Sequence, residues 1–491
     1  MSFKPSIYQN AIFAWVRNDK GNALIQAVAG SGKTTTIKHI SKIVPKEDLS
    51  IFVAFNKGIA AELKKKIPAN ISACTLHAFG LGLFVPNTNR IPKVDTDKLF
   101  NTIKHILEKK KYIVGNVEYS VKFDLLRKLI PLLKAFAVDY TKFEEVNDVM
   151  VKKGFEEELD DKGMELIKLI LDDCKNNVET IDFDDMIWIP FINNYKSKKY
   201  DWVFVDETQD LNVVQFELVK KMCNGATRVI AVGDRQQSIY AFRGADTKSM
   251  DRFKDHLKAK ELPLSICYRC PKSHVKLAKT IVSEIEPFKG AKEGTIEDIQ
   301  LDKAVEKMET GDLVLCRTNA PLLKVAFRLI RADKKAVVRG RDIGKGLLKL
   351  ISRYKVVNLE ELDFKVSNYK QLQEKKVEMI ERGEYDKRKK NSLIAMIDTC
   401  DTISVLIENV ETIQELKSKV ETIFSDNIEG IVCSSVHKAK GLEAENTFIV
   451  NFDLMPHPMA KTEEELEQEY NIKYVAITRS KNYMGFILDE V

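Results

Sequence analysis

No apolar run in this 491-residue chain approaches the ~20 residues a helix needs to cross a bilayer, so no membrane association is expected. Residues 1–20 mix charged and polar side chains into their apolar stretch and make a poor signal peptide. Eight cysteines over this length do not suggest a disulfide framework. Cys267 and Cys270 form a lone CxxC with no second pair at zinc-finger spacing, whereas a structural zinc site needs four ligands, so no metal is expected there. Repeats and low-complexity tracts are absent. Charge of one sign is scarce as well: the formal net charge is only +6, and any surface for an acidic polymer must come from local clustering of Lys and Arg. What is present is a globular balance of 44% hydrophobic and 31% charged residues. The chain is too long for one core, and several domains are expected.

The opening alternates between two periods. Residues 8–17 read as helix, 23–28 as strand, then a glycine-rich loop, then 34–43 as helix. A buried strand at 49–55 and a helix at 58–66 follow. This βαβ alternation implies a parallel sheet with ligands at the carboxyl ends of its strands. From about residue 95 to 177, Lys-, Leu- and Glu-rich segments such as 97–111 and 121–136 read as amphipathic helices. Strand signals return at 202–205 and 228–232. A second α/β region begins near Pro271, with a strand at 312–316 and a helix at 322–332. A charged helical stretch interrupts it, and strands are expected again at 430–434, 447–451, 474–477 and 485–488. The fold class is therefore α/β, with two parallel-sheet domains, each split by a helical insertion. The first domain is assigned residues 1–90 and 186–270 around an insertion at 91–185; the second, 271–357 and 426–491 around a short insertion at 358–425.

The strongest local signal is Ala27-Val28-Ala29-Gly30-Ser31-Gly32-Lys33-Thr34, a phosphate-loop pattern with Ala in place of the first Gly. Small residues let backbone N–H groups close around phosphates, and the following helix points its positive end at them. Lys33 is expected to reach the β- and γ-phosphates and Thr34 to hold Mg²⁺. Asp206-Glu207, directly after the apolar run Val203-Phe204-Val205, supplies a carboxylate for Mg²⁺ and a second to activate water. Phosphoryl transfer also needs positive charge on the γ-phosphate. Arg243, Arg269 and Arg479 each sit near a strand end or polar turn, and spacing alone does not choose among them.

The order of these and further motifs resembles the UvrD/Rep/PcrA branch of superfamily 1 DNA helicases over nearly the whole chain, with some details like the F-box DNA helicase subgroup. The resemblance implies two RecA-like domains using ATP and Mg²⁺. Gln9 matches the glutamine that reads adenine, and Ala29 to Thr35 form the Walker A loop with Gly30, Ser31, Gly32, Lys33 and Thr34. Phe55-Asn56-Lys57 and Thr75-Leu76-His77-Ala78-Phe79 resemble DNA-contacting segments, with His77 facing the strand. Asp182-Phe183-Asp184-Asp185-Met186 is similar to DFDDL, and Asp206-Glu207-Thr208-Gln209-Asp210 to DExQD. Val232 to Ala245 is close to VGDxxQSIYxWRGA. Within it Gln237 is implied to sense the γ-phosphate, and Tyr240, Phe242 and Arg243 to contact DNA; Phe242 offers the ring on which a base stacks, worth ~1–3 kcal/mol. Tyr268-Arg269 resembles the NYR motif, with Tyr268 on adenine and Arg269 on the γ-phosphate; Cys267 stands in place of Asn. Arg317 and Asn319 fall in a YRTNA-like segment near DNA. Ser435 to Glu443 is similar to T-x-H-x-x-KGLE, placing His437 and Lys440 by DNA and Glu443 by the ribose. Tyr474 to Arg479 matches YVAxTR, with Arg479 as a second γ-phosphate arginine.

Two departures stand out. Tyr470-Asn471 replace a pair of arginines common in the family, and the insertion at 358–425 is much shorter than the family's regulatory subdomain. The implied activity is ATP-driven translocation on single-stranded DNA, 3′ to 5′, with unwinding of duplex as two RecA-like domains close. Single-stranded DNA and single/double-strand junctions are the expected partners, the chain acting as a monomer or weak self-associate. A cytoplasmic location in a bacterium or phage-infected host fits the Lys-, Ile- and Asn-rich composition. A translocase that does not unwind uses the same motifs; a nucleotide-controlled switch does not need so complete a hydrolysis site.

Overall fold

A computed structural model describes residues 3–54, 57–65, 67–112, 114, 117–153, 155, 158–239, 248–382, 384–385, 390–408, 410–425, 429–458 and 460–488. The chain divides into two compact units, Met1–Ala27 with Gly32–Ser265, and Val28–Ser31 with Ile266–Val491. Among the described residues no helix is long and apolar enough to cross a membrane.

The first unit is built on β1 (Ala23–Ala27), β2 (Ser50–Ala54), β3 (Ile71–Thr75), β4 (Trp202–Val205), β5 (Arg228–Gly233) and β6 (Lys260–Leu264). They pair in parallel in the order β3-β2-β4-β5-β1-β6. Every residue of β2 and β4 is buried, as expected for strands covered by helices on both faces. All carboxyl ends therefore lie along one edge. The edge strand β6 pairs only with β1, which is why it tolerates Pro263, a residue with no N–H to donate.

Between β3 and β4 stand the helices Lys98–Lys109, Val117–Ala135, Phe143–Lys152 and Asp161–Asn176. Two short parallel strands, Lys93–Val94 and Thr180–Ile181, close the neck of this insertion. Leu107, Leu129, Ile130 and Ile170 of the insertion share one buried cluster with Val203 and Val205 of β4, so insertion and sheet fold around a continuous core.

The second unit carries β7 (Thr295–Ile299), β8 (Leu313–Cys316), β9 (Ala336–Arg339), β10 (Phe424–Ser425), β11 (Ile431–Ser435), β12 (Ala444–Val450) and β13 (Ser480–Ile487), ordered β7-β13-β12-β8-β11-β9-β10 and again parallel. The helices Leu359–Glu381, Lys390–Ile407 and Ile413–Ile423 lie between β9 and β10 in sequence. Two parallel-sheet cores flanked by helices, each with a helical insertion, are the tandem RecA-like class expected.

One expectation fails. Tyr474–Ile477 is not a strand but the last turn of the helix Glu463–Ile477. That helix starts at a capping box in which Thr462 accepts from the Glu465 N–H and the Glu465 side chain reaches back. Its last turn is wholly buried, so it lacks the polar positions that reveal a helical period, and a four-residue apolar run does not separate the two structures.

Close approach of helices fixes one glycine. A Cβ at Gly80, in the helix Leu76–Gly82, would lie 2.1 Å from the Met186 carbonyl oxygen of the helix Asp185–Ile192. Gly80→Ala is expected to lower the stability of the first unit by about 1–3 kcal/mol, read as an earlier urea-unfolding midpoint. An unchanged midpoint counts against this packing.

Candidate functional site

In the first unit the chemistry gathers where β1, β4 and β5 end. After β1 the chain turns through Gly30 and Gly32, with φ +66° and +82°, left-handed values that favour glycine. Gly32 is the N-cap of the helix Lys33–Ser41 and offers no side chain to its first N–H groups, which leaves them for an anion. Lys33 leaves the first turn and its Nζ meets Glu207 Oε2 at 2.8 Å. Thr34 and Thr35 are exposed on that turn. Burial works to lower the Lys33 pKa, but the charges of Glu207, Asp206 and Asp234 outweigh it and raise it above its ordinary value.

Asp206 and Glu207 follow β4. Asp206 is buried and accepts from the Glu207 N–H at 2.9 Å. Burial first, and the Glu207 charge second, push the Asp206 carboxyl up to about 7, against the pull of Lys33. Glu207 sits at φ +49°, a conformation uncommon outside glycine. Gln209 joins the ends of two strands: its Nε2 donates to Glu207 Oε2 at 2.5 Å, and its Oε1 accepts from the Asp234 N–H at 3.0 Å. Gln237, nearly buried, donates through Nε2 to Asp234 Oδ2 at 2.5 Å. Gln9 lies beside the loop but is engaged locally: its Oε1 accepts from the Ser6 N–H and its Nε2 donates to Thr36 Oγ1 at 3.0 Å.

These residues fit a nucleotide and Mg²⁺. Ser31 Oγ is buried with no hydrogen-bond partner in the protein, an orphaned group beside open helix N–H groups. Asp206 is a desolvated carboxylate at the strand end. Among the described residues no three His, Cys, Asp or Glu side chains form a metal cage. Mg²⁺ commonly takes one or two carboxylates plus phosphate oxygens and water, and Asp206 offers one such carboxylate.

In the second unit, residues 28–31 are held by the segments that carry Tyr268 and Tyr474. The Ala29 N–H donates to the Tyr474 hydroxyl at 2.8 Å, and the Tyr268 N–H donates to the Gly30 carbonyl at 2.9 Å. Tyr268 is partly exposed, its ring 5.0 Å from that of Phe288. Arg269 Nε pairs with Glu443 at 2.6 Å, and Lys481 with the same carboxylate at 2.6 Å. Burial works to raise the Glu443 pKa, but Lys481 and Arg269 outweigh it and hold it below its ordinary value. Arg479 is buried; it donates to the Val475 carbonyl at 2.8 Å, the Leu442 carbonyl at 3.3 Å and Thr478 Oγ1 at 3.0 Å.

The expected DNA contacts divide into three groups. Lys57 is exposed and His77 half-buried in the first unit, where burial, then the Lys57 charge, lower the His77 pKa. Arg317 and Asn319 are engaged within the second unit: Arg317 forms a two-pronged pair with Glu469 (2.7 and 3.0 Å), and Asn319 Nδ2 donates to Asp398 at 2.9 Å. His437 and Lys440 are half-buried on the turn after β11. Phe55, Asn56, Tyr240, Phe242 and Arg243 lie outside the described residues.

Sequence reasoning passed over Phe183 as a site residue. It is 49% exposed, edge-on to His77 with ring centroids 6.3 Å apart and an interplanar angle of 77°. An apolar ring presented to solvent between aspartates was the available signal. A small cavity is lined by His77, Leu76, Val53, Ala54, Leu211, Gln215 and Asp206.

A phosphate loop on one parallel-sheet core, with a second such core in the chain, defines a RecA-like nucleoside triphosphatase. Residues 9–258 match the UvrD/REP helicase N-terminal domain, and residues 191–490 match the UvrD-like helicase C-terminal domain. The chain therefore belongs to the UvrD/REP helicase family and is an ATP-hydrolysing DNA helicase. It is similar to the ATP-dependent DNA helicase PcrA of Staphylococcus epidermidis, 24% identical over 96% of this chain and 81% of that protein. PcrA of Bacillus subtilis is 23% identical over 95% and 80% of the two chains, and that of Staphylococcus aureus 23% over 96% and 81%.

Gly30 offers a direct check of the loop. A Cβ there would stand 2.6 Å from Arg269 Cβ and 3.1 Å from Cys267 Sγ, on top of an unfavourable φ. Gly30→Ala is expected to weaken binding of a fluorescent ATP analogue at least about tenfold. Affinity within twofold of the parent contradicts this reading of the loop.

Proposed function

We propose that this helicase translocates 3′ to 5′ on single-stranded DNA and unwinds duplex at single/double-strand junctions through ATP-driven closure of its two RecA-like domains. The observation that supports the coupling is a small cavity lined by both Asp206, at the nucleotide-binding edge, and His77, which we assign to DNA. In so small a space a change in the state of one wall is felt by the other.

The roles we assign follow from the chemistry. ATP with Mg²⁺ supplies the phosphoryl group whose transfer to water drives the cycle. Lys33 is to neutralise phosphate oxygens, displacing its pairing with Glu207. Thr34 and Asp206 are to hold the ion. Glu207, freed from Lys33, is to take the proton of the attacking water. Gln237 is to report the γ-phosphate through Asp234 and Gln209. Arg269 and Arg479 are to add positive charge at the γ-phosphate once Arg269 leaves Glu443 and Arg479 leaves its backbone carbonyls. Gln9 and Tyr268 are to hold adenine and Glu443 the ribose. His77 and Phe183 are to grip bases and Lys57 a phosphate. We carry forward Phe55, Asn56, Tyr240, Phe242, Arg243, Arg317, Asn319, His437 and Lys440 as DNA contacts on the family's motifs, with Arg317 and Asn319 exchanging their carboxylate partners for DNA. We likewise assign residues 1–90 and 186–270 to the first domain and 271–357 and 426–491 to the second, with insertions at 91–185 and 358–425. We place its work in the cytoplasm, where bacterial or phage DNA lies.

The test is ATP hydrolysis and strand separation on 3′-tailed, 5′-tailed and blunt duplexes. Hydrolysis is expected to rise with single-stranded DNA, and the 3′-tailed duplex to be unwound first. Lys33→Ala is expected to slow hydrolysis at least about a hundredfold. Preference for the 5′ tail overturns the polarity; hydrolysis indifferent to every DNA overturns the motor.

A further inference from the structure

Away from the nucleotide-binding edge, the first unit buries a second set of charges. Lys98 Nζ lies 2.6 Å from Asp185 Oδ2, and Lys134 Nζ lies 2.7 Å from Asp185 Oδ1 and 3.5 Å from Asp182 Oδ2. All four side chains are buried, Asp182 the most exposed at 9%. The two lysines come from two helices of the insertion, Lys98–Lys109 and Val117–Ala135. Lys98 also donates to the carbonyls of Cys174 and Asn177, at the end of a third, Asp161–Asn176. The aspartates come from the segment that leads into the helix Asp185–Ile192.

Apolar side chains of similar volume are often as stable as such a buried ionic group, so stability alone does not account for it. What the group fixes is position. The Asp185 N–H donates to Asp182 Oδ1 at 2.7 Å, and the Asp182 N–H donates to Asp185 Oδ2 at 3.3 Å. The turn between them is closed at both ends, and it is this turn that presents Phe183 to solvent beside His77.

We infer that Lys98 and Lys134 are positioning residues which, through Asp182 and Asp185, tie the helices Lys98–Lys109 and Val117–Ala135 to the Phe183–His77 pair, so that these helices and the base-gripping edge move as one piece. The inference rests on the reading of that pair as a base-stacking grip. A load on these helices is then passed to the grip through three buried ionic contacts rather than through loops.

The test uses the full chain and two oligonucleotides of equal length, oligo(dT) and its abasic counterpart, at one salt concentration. The readout is the ratio of their dissociation constants, which isolates stacking from phosphate contacts. Phe183→Ala is expected to reduce the preference for oligo(dT) at least about fivefold, the size of one weak stack. The variant Lys98→Met/Lys134→Met/Asp182→Asn/Asp185→Leu keeps the site neutral and filled. It is expected to lose the preference to the same extent, to lose nothing more when Phe183→Ala is added, and to keep its DNA-free ATP hydrolysis. If Phe183→Ala leaves the ratio unchanged, the stacking grip itself falls. If Phe183→Ala reduces the ratio but the four-fold variant does not, the positioning role falls. Should the four-fold variant not be recovered folded, Lys134→Arg keeps the charge and changes only the fit; a reduced ratio supports the inference and an unchanged one overturns it.

Discussion

The contact between Lys33 and Glu207 is the constraint on which the rest of this account depends. It joins the loop after β1 to the end of β4, although β5 lies between those strands in the sheet. A half-buried lysine and carboxylate satisfy each other while paired, and each is left with an unmatched charge when separated. Phosphate oxygens compete for Lys33 better than a single carboxylate does, and the carboxylate they release is a base. In the mechanism proposed above the pair guards Glu207, the group assigned to activate water, until an anion claims Lys33.

From that contact the Gln209 side chain carries position to Asp234, and Asp234 to Gln237, all through hydrogen bonds of 3.0 Å or less. On the other side of β4, Asp206 backs onto the cavity it shares with His77. In the proposed coupling these contacts serve as two routes out of the nucleotide site, one along the strand ends and one through the cavity that His77 lines. The buried quartet of Lys98, Lys134, Asp182 and Asp185 gives the second route a firm anchor in the helical insertion.

Much of this was legible in sequence because it rests on local chemistry. A glycine-rich turn between an apolar strand and a helix, and two acids directly after Val203-Phe204-Val205, declare a phosphate site from a few adjacent residues. The two-sheet plan followed from apolar runs of the right length. What was not legible joins distant residues or lacks a period. Arg317 and Glu469 stand 152 positions apart, and Lys98 and Asp185 stand 87 apart, so neither pairing leaves a mark in spacing. Arg479 was expected at the γ-phosphate, and nothing in its sequence neighbours announces that the Val475 and Leu442 carbonyls hold it. Edge strands such as β6 carry charge and proline and do not look like strands. Tyr474–Ile477 looked like one because its helical turn has no exposed side.

In the proposed mechanism nucleotide and DNA bind to coupled sites. Linkage makes this measurable in both directions, because a ligand that changes another's affinity must have its own affinity changed by the same factor. The direct measurement is the dissociation constant of oligo(dT) with and without a non-hydrolysable ATP analogue, alongside that of the analogue with and without oligo(dT). With coupling, both ratios differ from one and equal each other. Two ratios of one would contradict it.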